Sequence, residues 1–133
     1  MATIKSYSDL QQSKKLAEIL PLESADMWYQ YTGISIKDGS KKPIYFPMVI
    51  RDCESDKDIP CWSLAVLLEQ LPYELCDDDS NSAYLEINKE DDVYQLVYTD
   101  PYGDFQSIET DRYEHFVDAC VSMIEKLNEL NLL

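Results

Sequence analysis

The chain has 133 residues and a mass of 15.4 kDa, a length that one core of about 100–150 residues accommodates. Its 26 acidic and 11 basic side chains leave a formal charge of −15, which opposes direct binding to phosphate backbones or anionic lipid. The 45% hydrophobic and 11% aromatic content excludes a wholly disordered acidic chain, no apolar run approaches the ~20 residues that cross a bilayer, and Met1–Leu10 lacks the apolar core of a signal peptide.

In chain order, the first expected element is a helix from about Asp9 to Leu20. Ser8 is placed to cap it, with Gln11 completing a capping-box pattern. Leu10, Leu16, Ala17 and Leu20 form its apolar stripe, and Pro21 ends it. The aromatic run Met27–Tyr31 predicts a strand followed by a turn at Thr32-Gly33. Ile44–Ile50 predicts a second strand, joined to the first through Lys37-Asp38-Gly39-Ser40 as a hairpin. Pro47 removes one ladder donor, so this strand belongs at an edge or carries a bulge.

A second helix is expected over Cys61–Leu71, bracketed by Pro60 and Pro72. It is apolar on nearly every side and therefore reads as the central core element. Ala83–Asn88 and Val93–Thr99 alternate with a period of two and predict two strands joined by a polar loop at Lys89–Asp92. Asp100-Pro101-Tyr102-Gly103 predicts a turn into a further strand over Phe105–Glu109. The last helix is expected over Arg112–Leu130, capped by Thr110 or Asp111. Its stripe is Tyr113, Phe116, Val117, Cys120, Met123, Ile124, Leu127 and Leu130. The order α-β-β-α-β-β-β-α predicts one α+β domain over residues 1–133. Its expected architecture is a two-layer sandwich of three helices on an antiparallel sheet of about five strands.

The charge is unevenly placed. Residues 1–51 hold seven bases and five acids, a net of +2, whereas residues 52–133 hold four bases and 21 acids, a net of −17. The acids cluster at Asp52–Asp58, at Glu74 with Asp77, Asp78 and Asp79, and at Glu90–Asp92. Such runs ordinarily form solvated loops that maintain solubility; the sharper reading is an acidic surface for a basic partner.

Cys53, Cys61, Cys76 and Cys120 are too irregularly spaced for a disulfide scaffold, and with no export signal a reducing cytoplasm is the expected setting. Cys120 lies on the helical stripe as a small hydrophobe. Cys61 opens the second helix, where the dipole would lower its pKa.

No reaction centre is expected. His115 is the single histidine; it falls on the wet face of the last helix, and no local nucleophile motif accompanies it. No Cys or His spacing matches a zinc site. Read from Asp77 as a calcium loop, position six is Ser82 and position twelve Asn88, so neither the glycine nor the bidentate glutamate is present. The three glycines form no phosphate cradle. Catalytic residues, cofactor and metal are therefore all read as none. Tyr84, Tyr94 and Tyr98 can share one sheet face. If the helices cover only the other, that aromatic surface would serve a partner, together with Asp77, Asp78 and Asp79. Otherwise the tyrosines merely pack a half-buried sheet.

Ser24-Ala25-Asp26-Met27, Pro43–Met48 and above all Ile59–Pro72 resemble small uncharacterised proteins carried by prophages and other mobile elements of gut anaerobic bacteria. The resemblance covers most of the chain in layout. It implies a bacterial cytoplasmic setting and a mobile-element origin, and it carries over no catalytic residue.

The expected function is that of a non-enzymatic intracellular accessory protein binding a protein partner, without direct nucleic-acid or membrane contact. Two alternatives stand beside it. An acidic nucleic-acid mimic would need its three acid clusters to line one face. An unrecognised enzyme would need a pocket holding Cys61, His115 or Asp26.

Overall fold

A computed structural model describes residues 5–133, with the side chains of residues 47 and 48 set aside; the leader expectation on Met1–Leu10 lies partly outside the described residues. The chain is α+β, with three α-helices and antiparallel strands among the described residues. Among the described residues the strands form two sheets rather than the single sheet expected, and they number seven rather than about five. Each sheet belongs to its own compact unit: Tyr7–Val66, and Leu67–Leu133 with Lys5 and Ser6.

In the first unit, α1 spans Leu10–Leu16. Its cap is Asp9, not Ser8: the Asp9 carboxylate accepts from Gln12 N at 2.8 Å, and Gln12 Oε1 accepts from Asp9 N at 3.0 Å. Ser8 is released from capping because it is buried, with its hydroxyl 2.7 Å from Ser13 Oγ and accepting from Trp62 N at 3.2 Å. The helix ends four residues earlier than expected, and Pro21 instead precedes a 3-10 turn at Leu22–Ser24.

β1 (Met27–Lys37) and β2 (Ser40–Ile50) form a long hairpin. The turn residues Asp38 and Gly39 both have positive φ, 53° and 79°, the conformation that a two-residue primed turn requires. Thr32-Gly33 is not a turn but lies inside β1, where the pairing register slips between Tyr31 and Gly33. β2 is an edge strand, as Pro47 implies. The pairs Tyr29↔Val49 and Tyr31↔Tyr45 leave two surplus residues on β2 in the stretch that contains Pro47.

β3 (Ile59–Cys61) pairs with Met27–Tyr29 and completes the order β2-β1-β3. Cys61 is therefore in a strand and opens no helix. α2 begins only at Leu64 and runs to Gln70, so the unit boundary falls inside it. It is not the wholly covered core helix expected: Leu67 alone in it is buried. Cys61 and Trp62, which fell within the expected helix, lie instead in β3 and just past its end, fully buried, in the unit whose core also includes Leu16, Leu20 and Tyr29.

In the second unit β4 (Glu74–Cys76), β5 (Ser82–Glu90), β6 (Val93–Thr99) and β7 (Ile108–Glu109) form an antiparallel sheet in that order. The loop expected over Lys89–Asp92 contracts to Asp91-Asp92, both with positive φ. The strand expected over Phe105–Glu109 keeps only its last two residues. α3 spans Phe116–Glu129 with His115 at its N-cap position. Thr110 and Asp111 do not cap it, because the Thr110 hydroxyl is buried and accepts from Leu96 N at 3.1 Å. Val117, Cys120, Met123, Ile124 and Leu127 are fully buried, and α3 packs on β6. Among the described residues no helix is long and apolar enough to cross a membrane.

Candidate functional site

The β5–β6 register decides which side chains share a surface. A two-residue turn pairs even with odd positions: Tyr84↔Thr99, Leu85↔Tyr98, Ile87↔Leu96 and Lys89↔Tyr94. Directly opposed residues point to the same side, so Tyr94 and Tyr98 lie on one face and Tyr84 on the other. The expected shared tyrosine face does not form.

Tyr98 is fully buried and donates its hydroxyl to the Pro72 carbonyl, and burial raises its pKa. Tyr94 stacks on Phe116 of α3 at 5.0 Å between ring centroids, with Lys89 Nζ 5.5 Å from its ring. Both therefore belong to the helix-covered face. Tyr84 is half-buried beside Tyr73, at 5.6 Å between centroids, on the face that also presents Glu74, Glu86 and Glu109.

Tyr84 stands at an end of the sheet where two acidic turns meet. The first joins β4 to β5. Asp77 organises it: one carboxylate oxygen accepts from Asp79 N and Asn81 N, both at 2.9 Å, and the other from Asn81 Nδ2 at 3.0 Å. Hydrogen bonds from the Asn81 backbone, then from its side chain, lower the Asp77 pKa. Asp78 and Asp79 remain exposed.

The second turn follows β6. Asp100 accepts from Tyr102 N, Asp104 N and Phe105 N at 2.8–3.0 Å. The Tyr102 amide is the largest influence lowering its pKa, while the nearby Asp77 charge opposes that shift. Because Tyr84 pairs with Thr99, Asp100 is held beside the start of β5. Between the turns lies a shallow groove of about 220 Å³ lined by Ser80, Tyr84, Asp100, Tyr102 and Asp104 among others. Tyr102 is 88% exposed and Tyr73 74%.

Of the sequence-predicted residues, this end brings together Asp77, Asp78, Asp79 and Tyr84, and excludes Tyr94 and Tyr98. It adds Asp100 and Tyr102, expected only as part of a turn, and Asp104, for which no role was expected. The signal for them was present in Asp100-Pro101-Tyr102-Gly103, since an aspartate opening a proline turn commonly bonds the following amides. The rim presents exposed carboxylates and phenols. Asp77 and Asp100, however, spend most of their acceptor capacity on their own loops.

The remaining acids lie elsewhere. Glu90–Asp92 sit at the opposite end of β5, about 26 Å away by strand length. Asp52–Asp58 belong to the first unit, where Asp58 is buried and accepts from Tyr31 N, Glu54 N and Ser55 N at 2.8–3.1 Å.

Of the groups singled out for chemistry, Cys61 and Asp26 are engaged structurally. Cys61 is buried and its thiol faces Ser8 O at 3.3 Å; burial raises its pKa, so the thiol stays protonated instead of being activated. Asp26 accepts from Ser63 N at 2.8 Å, ahead of α2. His115 occupies the α3 N-cap position, a correction to its expected place on the wet helix face. Among the described residues no group of three His, Cys, Asp or Glu side chains is placed to hold a metal ion. No family model, curated protein or solved structure matches the chain.

Proposed function

We propose that this protein is a non-enzymatic, intracellular accessory protein of phage or mobile-element origin that acts by binding another protein. The binding surface in this reading is the acidic–aromatic end of the four-stranded sheet, comprising Asp78, Asp79, Tyr84, Tyr102 and Asp104. The partner segment is basic. One observation carries the reading: two turns from different parts of the chain are each built around a hydrogen-bonded aspartate. They set Asp104 and the highly exposed Tyr102 around one groove with Tyr84, against which the exposed Tyr73 packs. Exposed tyrosines are enriched in recognition surfaces, and neighbouring carboxylates steer an oppositely charged partner. Four free thiols, two of them exposed, support a reducing compartment. A helix-backed sheet within each unit supports the layered α+β arrangement. The mimic of nucleic acid draws less support, because Asp77–Asp79 and Glu90–Asp92 terminate opposite ends of β5.

The test is affinity capture from the native host, comparing wild type with a variant carrying Asp79→Asn, Tyr102→Ala and Asp104→Asn. A partner of this surface should be captured by wild type and lost from the variant. Its retention should also fall several-fold between 50 and 300 mM salt, two conditions that bracket strong and weak screening at about 10 Å. Equal capture by both proteins would place binding elsewhere, and no capture by wild type would remove the proposal.

A further inference from the structure

The β1–β2 hairpin outgrows its sheet. β3 pairs only with Met27–Tyr29, so from residue 30 to the turn the hairpin is a two-stranded ribbon among the described residues. Two-stranded ribbons are marginal alone, yet this one carries exposed Ile34 (57%), Ile36 (72%), Ile44 (44%) and Phe46 (50%). Ile34 and Ile36 lie on one face and Ile44, opposite Gly33, on the other, so the ribbon exposes apolar side chains on both faces, as a contact surface would. On β2, Tyr45, Pro43 and Lys41 alternate onto one face, opposite Tyr31, Ile34 and Ile36 of β1.

The ends of the ribbon differ in charge. Its tip holds Lys37, Lys41 and Lys42 against Asp38, a net of +2. Its root abuts residues 51–58, where Asp52, Glu54, Asp56 and Asp58 oppose Arg51 and Lys57, a net of −2. This loop is tied to the root by Asp58, which accepts from Tyr31 N at 2.8 Å, and by Lys57, whose Nζ lies 5.0 Å from the Tyr31 ring centroid. Asp58 thus closes the β1 ladder at Tyr31, and the edge beyond it faces no strand among the described residues.

We propose that two copies of this chain pair antiparallel along the free edge of β1, about a two-fold axis near Ile34. Lys37 of one copy then lies across from Tyr31 of the other, about 20 Å from its own root by strand length. Each basic tip therefore meets the other copy's acidic root, once on each side of the axis. The contact is self-complementary, as a two-fold interface must be. It joins two ribbons into a four-stranded sheet and packs Ile34 and Ile36 of both chains. A parallel pairing would instead set tip on tip and repel.

The test is sedimentation equilibrium at about 100 μM chain, with a tip variant (Lys41→Glu and Lys42→Glu) and a root variant (Asp52→Lys and Glu54→Lys). Wild type should sediment at twice 15.4 kDa, with dissociation rising at high salt. Each variant alone should dimerise at least tenfold more weakly. An equimolar mixture should restore the dimer, because both tip–root contacts are then attractive again. That recovery also shows both variants to be folded. The exposed Ile36→Thr substitution should weaken the dimer without altering far-ultraviolet circular dichroism. A monomeric wild type overturns the proposal, as does a dimer indifferent to the reversals or a mixture that fails to recover.

Discussion

Replacing Asp58 with asparagine removes one charge and no volume. The side chain is 5% exposed, and its two oxygens accept three backbone N–H groups, from Tyr31 at 2.8 Å, Glu54 at 2.9 Å and Ser55 at 3.1 Å. Asparagine keeps one carbonyl oxygen for Tyr31 but turns an amino group toward the Glu54 and Ser55 amides, so donor faces donor. A hydrogen bond to a charged acceptor contributes about 1.5–3 kcal/mol, and an orphaned buried donor costs about 1–3 kcal/mol. Glu54 is exposed and Ser55 half-buried, so water recovers part of the loss, and about 2–4 kcal/mol is expected overall. Urea unfolding followed by tryptophan fluorescence measures this directly, because Trp28 and the fully buried Trp62 both lie in the unit with Asp58.

The pH dependence supplies an independent check on the same residue. Burial by itself would raise the Asp58 pKa, but the amides of Tyr31, Glu54 and Ser55 together bring it below its ordinary value. A folded-state pKa below the unfolded one, near 3.9, gives stability that is complete above about pH 5. That contribution is lost as the pH falls through 4 and on through the folded value. Asp58→Asn should therefore flatten the acid limb of the stability curve of this unit. A loss below about 0.5 kcal/mol, or acid limbs that stay parallel for wild type and variant, would refute the reasoning.

Tyr98→Phe strands the Pro72 carbonyl and should cost about 1–2 kcal/mol in denaturant unfolding, with little change in m-value. A thiol titration of the native protein should find Cys53 and Cys76 reacting promptly, since both are exposed, and Cys61 and Cys120 only on unfolding. Burial pushes the Cys120 thiol up to about 12 and raises that of Cys61 as well; four equally fast thiols would contradict this. Asp9→Ala removes the α1 cap and should lower stability by about 1 kcal/mol. Asp92→Gly should raise the thermal midpoint, because Asp92 holds φ at 63° in the β5–β6 turn, where glycine avoids a steric cost of at most about 1–2 kcal/mol.

What could be read in the chain beforehand followed the range of the interactions involved. α3 was legible because its stripe from Phe116 to Leu127 reports burial within one element. The β1–β2 turn was legible because Asp38-Gly39 carries its own conformational preference. β3 was not, since three residues, Ile59–Cys61, become a strand only by pairing with Met27–Tyr29, some thirty positions earlier. Pro60 there imitated the first turn of a helix. The division of Tyr84 from Tyr94 and Tyr98 depended on whether the intervening turn held an even number of residues, which an acidic run does not announce. Of the candidate rim, Asp78 and Asp79 were found through their charge and Tyr84 as an aromatic of the sheet. The roles of Asp77 and Asp100 as anchors for backbone amides were hidden, because a solvated carboxylate and a loop-organising one look alike in sequence.

Ser8 has a consequence for the order in which the chain assembles. Its backbone N–H reaches Trp62 O at 3.0 Å and its hydroxyl accepts from Trp62 N, across 54 positions. The Tyr29 hydroxyl also donates to its carbonyl at 2.8 Å. Closing so long a loop carries an entropic cost before any contact rewards it. At about 5–20 residues per second, a ribosome needs roughly 3–11 seconds to go from Ser8 to Trp62. Within that interval the residues of α1 and then of the β1–β2 hairpin are made, while the network around Ser8 still lacks the Trp62 backbone it closes on. The first unit is thus finished by one of its last residues returning to one of its first.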